Sequence, residues 1–372
     1  MSRTRVALVY GGKSGEHEIS LVSAYSILQA LDPTHFDVIA IGIDKQGQWF
    51  FNQLPELMAD QITQELHQLP AKLSTSQGIT ITEDNKTQEI VGGPIDVVFP
   101  IVHGSLGEDG CLQGFLEIAD LPYVGAGVLA SAIGMDKDVA KRLAHLAGVK
   151  TAPYKAYTKA VFESRKEQII HDIIQHLGLP VFVKPAHLGS SVGIHKATDE
   201  YSLAKAIKDA FQYDEKIIIE AFVDGQEIEI SVLENPIPGE PPLVSLPGEI
   251  CPSSKHDFYS YQAKYLDPEG AELIIPAQLS KEKIEEIQYD ARTIFTALTC
   301  ESMARVDFFL ERHTGRVLFN EINTLPGFTP ISMYPKLWEA SGLPYKELLR
   351  MLIDLAIAKH TRKKAIQTAF KA

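Results

Sequence analysis

Apolar and polar positions alternate along this chain in a way that marks out its elements before any motif is considered. TRVALVY at 4–10, FDVIAIGID at 36–44, QWFF at 48–51 and IDVVFPIVHG at 95–104 are short apolar runs bounded by turn residues, with helical stretches between. This order predicts an α/β layer structure with a mainly parallel sheet over roughly the first 120 residues. A helix is expected to start near Ser14, with Glu16 and Glu18 in its first turn, where acids suit the helix dipole. Helices are predicted over 126–148, 164–177 and 200–211, and strands over 181–185 and 192–196. In KIIIEAFVDGQEIEISVL, 216–233, alternation puts Glu227, Glu229 and Ser231 on one face. Ser280 caps an amphipathic helix that buries Ile284, Ile287, Ala291, Ile294, Phe295 and Leu298, and a final helix is expected near 344–359.

The most informative alternation is MARVDFFLERHTGRVLFNEINTLPG, 303–327. It predicts strands at 303–311 and 317–323 joined by a turn ending in Gly315, as in three-residue hairpin loops with glycine third. With Arg312 opposite Arg316, Arg305 falls near Asn323 and Asp307 near Glu321. Opposed carboxylates repel unless a cation lies between them, and oxygen ligands of this kind suit magnesium. An exposed hairpin face with scattered charges is the other reading of these residues alone. Val306, Phe308 and Leu310 opposite Val317 and Phe319 make both faces partly apolar, which places the hairpin centrally, and buried carboxylates need partners.

Composition acts mainly by exclusion. The 372 residues suggest two or three domains, and 45% hydrophobic with 22% charged residues is ordinary for a globular protein. A formal charge of −13 argues against a nucleic-acid partner, though a local lysine cluster can still hold a small phosphate ligand. Three scattered cysteines, Cys111, Cys251 and Cys300, imply neither a disulfide framework nor a zinc site. Neither a signal-peptide pattern nor a run of about 18 apolar residues is present, so a cytoplasmic soluble protein is expected.

Several loops carry candidate chemistry. Gly12-Lys13-Ser14 is no P-loop, because position 7 is Ala7 rather than glycine, and GxGxxG is missing, which removes a nucleotide dehydrogenase. The loops at 11–15 and 104–110 follow strands of the α/β unit, where ligands gather, and are expected to face one cleft beside His103. Lys137 has the spacing of a solvated helical charge. In LPVFVKPAHLGSSVGIHKA, 179–197, Gly189, Ser190, Ser191 and Gly193 let backbone N–H groups approach phosphate while Lys184 adds charge; a plain flexible hairpin is the alternative. IIIE followed by AFV has the form of a strand with a free edge, such as a hinge for a planar base. The polar, aromatic stretch 251–270 has no clean periodicity, as a functional lid would.

Taken in order, GGKSGEHEIS, HGSLGEDG, VFVKPAHLGSSVG, AKY, ARVDFF and NEINTLPGF resemble the motifs of the D-alanine–D-alanine ligases of the ATP-grasp superfamily, over about 10 to 345. The resemblance implies an N-terminal parallel-sheet α/β substrate domain (1–125) followed by a two-part ATP-grasp fold (126–230 and 231–372), with ATP between two sheets and a lid at 251–268. It implies metal ligands at Asp307, Glu321 and Asn323, for two magnesium ions with manganese as a substitute. It further implies phosphate lysines at Lys137 and Lys184, a glycine-serine loop at 188–193 with Gly189, Ser190 and Ser191, and an adenine hinge at Glu220, Ala221, Phe222 and Val223. Glu227 would meet the ribose, and Asn320 and Lys264 would also face the nucleotide. Glu16 would meet the first D-alanine's ammonium group, with His103 nearby and with Ser190 and Tyr265 in a shared network. Lys264 and Ser332 match positions near the second substrate's carboxylate or the transferred phosphate, and Arg305 and the Gly327 N–H would stabilise an oxyanion. A cytoplasmic homodimer that activates a carboxylate as an acyl phosphate is implied, without nucleic-acid or membrane partners. Related ligases using D-lactate or D-serine, and a nucleotide-binding module without catalysis, are the rival readings; the intact set Lys137, Lys184, Asp307, Glu321 and Asn323 argues against the last.

Overall fold

The computed structural model describes residues 3–52, 94–253 and 270–367. The stretch 52–93 and the lid expected at 251–268, with Lys264 and Tyr265, lie almost wholly outside them.

Three sheets organise the described chain. The first has the order β3-β2-β1-β4, from β1 (Thr4–Gly11), β2 (Phe36–Ile43), β3 (Trp49–Asn52) and β4 (Val97–Ile101); β1 runs parallel to β2 and β4, and β3 antiparallel to β2. Its strands read as unbroken apolar runs because both faces are covered. Val6, Leu8 and Tyr10 share a core with α1 (His17–Ala30) and the returning α10 (Tyr345–Lys364), whereas Ala7 and Val9 pack with α2 (Cys111–Ile118). The helix begins at His17 rather than near Ser14, whose hydroxyl donates to the His103 carbonyl at 2.6 Å and accepts from the Glu16 N–H at 3.2 Å. Glu16 takes the cap position without a side-chain cap bond, so its carboxylate is directed elsewhere.

The second sheet, β5-β8-β6-β7, is antiparallel and built from β5 (Tyr154–Thr158), β6 (Val181–Pro185), β7 (His195–Ala197) and β8 (Lys216–Ala221). Strand β7 starts later than expected. Val181, Val183, Ile217 and Ile219 pack on α5 (Lys159–Ser164), α6 (Lys166–Leu177) and α7 (Glu200–Ala210), so alternation turns Phe182, Lys184, Ile218 and Glu220 to the opposite face. The helix expected over 164–177 is α6, and a short helix the pattern did not mark, α5, precedes it from Lys159.

The third sheet, β12-β11-β9-β13-β14 with β10 on β9, is also antiparallel. Its strands are β9 (Gly225–Leu233), β10 (Leu243–Val244), β11 (Gly248–Pro252), β12 (Ala271–Ile274), β13 (Met303–Glu311) and β14 (Val317–Asn323). The first residues of the expected lid, Cys251 and Pro252, are therefore strand, paired with Glu272 and Ala271 beyond its far end. Ile228, Ile230, Val232, Ala304, Val306 and Phe308 pack on α3 (Val128–Met135), α4 (Lys137–Leu146) and α8 (Lys281–Ala297). Burying a phenylalanine such as Phe308 is worth about 3–5 kcal/mol against alanine. The helix expected over 126–148 is broken at Asp136, whose carboxylate accepts from the N–H groups of Asp138 and Val139 and so starts α4 afresh.

The hairpin reaches its expected pairing by a different route. Glu311, not Arg312, pairs with Arg316: its N–H donates to the Arg316 carbonyl at 2.9 Å, which makes a four-residue loop. A bulge then intervenes, so that Phe308 faces Phe319 but Asp307 faces Glu321 and Arg305 faces Asn323. The extra residue restores the register that the loop lost.

Candidate active site

The polar faces of the second and third sheets oppose each other across a cleft. A cavity of about 420 Å3 lies between them, lined by Phe182, Lys184 and Glu220 from one sheet and Glu227, Phe309, Asn320 and Glu321 from the other. Ala221, Phe222 and Val223 form one edge, and Ser191 adds the tip of its loop. The N–H groups of Ala221 and Phe222 donate to the carbonyls of Pro153 and Pro180, which fixes the hinge backbone.

The lysines here are not solvated. Lys184 donates to Glu220 at 2.7 Å and to Asn320 Oδ1 at 3.3 Å, tying the two sheets together. Burial opposes the Glu220 carboxylate, but Lys141 and Lys184 outweigh it and bring its pKa down to about 2. Lys137, expected as a solvated charge, is only 5% exposed. The break at Asp136 makes it the first residue of α4, where its ammonium group donates to the Leu188 carbonyl at 2.6 Å and lies 3.3 Å from Glu321.

A second cavity of about 120 Å3 adjoins the first. Glu16, His103, Glu108, Lys137, Gly189, Ser190, Glu229, Arg305, Asn323, Gly327 and Ser332 line it, and Glu321 is the one described residue lining both cavities. Ser190 donates to Glu16, closing the glycine-serine loop over the start of α1. The loop itself separates the cavities, with Gly189 and Ser190 on one side and Ser191 on the other. Ser190 and Ser191 have left-handed φ of 52° and 58°, which costs on the order of 1–2 kcal/mol each and turns successive N–H groups together. The loop base is held at His187, whose N–H and ring grip Asp214 while Nε2 reaches Asp136 at 3.2 Å; hydrogen bonds to Asp136 and then Asp214 raise the ring's pKa to about 9.

The two glycine loops after β1 and β4 lie against each other at Ser14 and Gly104, and of the two only the second lines the smaller cavity, through Glu108. A side chain at Gly11 would sit 2.1 Å from the Ile43 carbonyl oxygen at a φ of +92°, so only glycine serves there. His103 is a clasp: its Nδ1–H donates to the Leu325 carbonyl at 3.1 Å, which leaves Nε2 to accept from Ser23 at 3.3 Å. Burial pushes its pKa down, so the ring stays neutral. Burial and then Glu16 push the Glu108 carboxyl well up. At Gly327 a Cβ would lie 2.7 Å from the Ser332 hydroxyl, so the close approach of that hydroxyl requires glycine.

Arg305 is the electrostatic centre of the hairpin face. It donates to both oxygens of Asp307 at 2.8 and 2.7 Å and lies 2.9 Å from Glu229. Burial disfavours its charge, yet Asp307 and Glu229 raise its pKa. Glu229, Asp307 and Glu321 face one another across three strands, a row set by register. Glu229 was visible in the alternation of β9 without a role, whereas Lys141 gave one signal only, its i+4 spacing from Lys137 on one helix face. Among the described residues no group of three or more His, Cys, Asp or Glu side chains is arranged to hold a metal. Two opposed carboxylates and an amide still suit a hard cation that completes its shell with phosphate and water oxygens, so the donor set fits magnesium.

Sequence models of the D-ala D-ala ligase N-terminus and C-terminus match residues 5–126 and 143–354. The D-alanine–D-alanine ligase A of Bradyrhizobium diazoefficiens is 48% identical over 376 residues, covering 99% of both chains. The D-alanine–D-alanine ligase of Legionella pneumophila is 47% identical over 365 residues, covering 98% of both chains. The solved D-alanine–D-alanine ligase of Coxiella burnetii superposes with a TM-score of 0.79 at 36% identity, covering 98% of both chains. The VanG D-Ala:D-Ser ligase of Enterococcus faecalis gives a TM-score of 0.80 at 33% identity, covering 95% of this chain and all of its own.

Proposed function

We propose that this chain, which belongs to the D-alanine–D-alanine ligase family, joins two D-alanine molecules into the dipeptide used for peptidoglycan precursors, with conversion of ATP to ADP and phosphate. The supporting observation is Glu321, which stands where a nucleotide-sized cavity meets a small charged one. Amide formation from a carboxylate in water is uphill, so the first D-alanine is activated as an acyl phosphate, a step that needs positioning and charge neutralisation. ATP occupies the larger cavity, its base against 220–223, its ribose at Glu227 and its phosphates between Lys184, Lys137 and the 188–193 loop. Asp307, Glu321 and Asn323 would hold magnesium, two ions with manganese as a substitute, which when bound offsets charge on the phosphate oxygens. Glu16 receives the ammonium group of the first D-alanine, and the second lies near Ser332; the family resemblance adds Lys264, which is outside the described residues. Arg305, held rigid by Asp307 and Glu229, and the Gly327 N–H meet the oxyanion as the amine attacks. The family resemblance assigns Tyr265, which lies outside the described residues, to the preference for an amine over an alcohol nucleophile, so Tyr265→Phe should move products toward the ester.

We assign substrate binding to 1–125 and the two halves of the nucleotide fold to 126–230 and 231–372, which meet at β9. We place the enzyme in the cytoplasm as a homodimer; no described helix is long and apolar enough to cross a membrane. Purified protein given ATP, magnesium and D-alanine should release ADP and dipeptide in equal amounts, and no D-alanine-dependent ADP would refute the reading. The likeness to a D-Ala:D-Ser ligase favours D-serine as the alternative second substrate. Competition among D-alanine, D-serine and D-lactate at pH 7 decides: the D-alanine dipeptide predominates, and a majority of either other product overturns that choice.

A further inference from the structure

Lys141 lies one helical turn beyond Lys137 on α4 and is only 1% exposed, yet it lines neither cavity. Its ammonium group lies 3.1 Å from Glu220 Oε1, donates to the Phe319 carbonyl at 3.2 Å and stands 5.7 Å from the centre of the Phe319 ring. Phe319 sits at the bulge that offsets β14, directly before Asn320 and Glu321. On the far side of Glu220, Lys184 donates to Oε2 at 2.7 Å. One buried carboxylate therefore stands between two buried lysines, and only one of the lysines lines the larger cavity.

A buried ammonium group is costly unless neighbouring groups offset its desolvation, and one carboxylate cannot neutralise two cations. The arrangement Lys141–Glu220–Lys184 carries a net charge of about +1, in a region of low dielectric where charge acts strongly. Without Lys141, Glu220 and Lys184 would form a closed neutral pair and offer little to an anion.

We propose that Lys141 is a positioning residue for nucleotide binding: by neutralising Glu220 it leaves the charge of Lys184 available to the phosphates, while touching no nucleotide itself. The proposal rests on the reading of the larger cavity as the ATP site. It makes a prediction that simple loss of packing does not, because the effect must grow with the charge of the ligand.

The test is direct binding, by calorimetry or competition, of magnesium ATP, ADP and adenosine, in the absence of D-alanine and turnover. Lys141→Met should weaken ATP at least tenfold, ADP less, and adenosine no more than about threefold. Lys141→Arg keeps the charge and should retain most of the preference for ATP over adenosine. In Lys141→Met with Glu220→Gln the carboxylate that neutralises Lys184 is gone, so the ATP-to-adenosine affinity ratio should return to within about threefold of the parent. Equal weakening of all three ligands, unchanged ATP affinity, or no return of the ratio in the double variant would each overturn the proposal. Should Lys141→Met fail to fold, Lys141→Gln decides, since it keeps a donor for the Phe319 carbonyl and removes only the charge. Parent protein that bound no nucleotide would refute the ATP-site reading itself, a failure distinct from any of these.

Discussion

The larger cavity and the smaller one are built on different principles. The larger is walled by alternate positions on neighbouring strands, such as Phe182 and Lys184 on β6 and Asn320 and Glu321 at the bulge of β14. Its charges are paired across the sheets before any ligand arrives, as the Lys184 bonds to Glu220 and Asn320 show. The smaller takes its walls from ends and loops far apart in sequence: Glu16 before α1, His103 and Glu108 after β4, Ser190 in its loop and Gly327 before α9 (Met333–Ala340). Its closure depends on contacts between loops, including Ser190 to Glu16 and His103 to the Leu325 carbonyl. A wall of strands holds its shape through the sheet, and a wall of loops holds only while each clasp does.

The residue common to both should be the most sensitive. Glu321→Gln keeps the hairpin but removes the charge shared by the cavities, and ADP formation should fall by about 10³ or more with the circular dichroism spectrum unchanged. An active variant with ordinary magnesium dependence would remove Glu321 from the metal set. Arg305→Ala comes next. Turnover should drop by about 10²–10³ while the apparent D-alanine affinity barely moves, the pattern of an interaction made in the transition state. A change confined to D-alanine KM would place Arg305 in ground-state binding instead.

Two substitutions of about tenfold effect test whether the cavities are separable. Glu227→Ala should raise KM for ATP and leave that for D-alanine alone, and Glu16→Gln should do the reverse. Equal shifts in both constants for either variant would mean one merged site.

The smallest effect concerns the base of the 188–193 loop. The folded pKa of His187, about 9, exceeds its ordinary 6.5, so its pairing with Asp136 and Asp214 is fully present below pH 6.5 and lost as pH rises through 9. The ring is nearly half exposed, and solvent screening limits the clamp to about 1 kcal/mol. Thermal melts of parent and His187→Ala should therefore differ most near pH 6 and converge above pH 9. A gap that stayed constant across that range would show that the histidine acts through packing alone.

What the chain's pattern determined is the framework of strands and the face each side chain takes. Period-two alternation is local, so it placed Arg305, Asp307, Glu321 and Asn323 on one face and Glu227, Glu229 and Ser231 on another without any knowledge of packing. Even there the hairpin loop is one residue longer than its glycine suggested, and a bulge corrects the register because the apolar face must return to the core. Tertiary structure decided the rest. Lys137 and Lys141 carry the pattern of solvated helical lysines, and both are buried because α4 restarts at Asp136 and packs beneath the two sheets. The Glu16 carboxylate makes no cap bond to its own helix and accepts instead from Ser190, 174 positions away. A charge's surroundings depend on which distant element settles over it, and no periodicity within one segment records that.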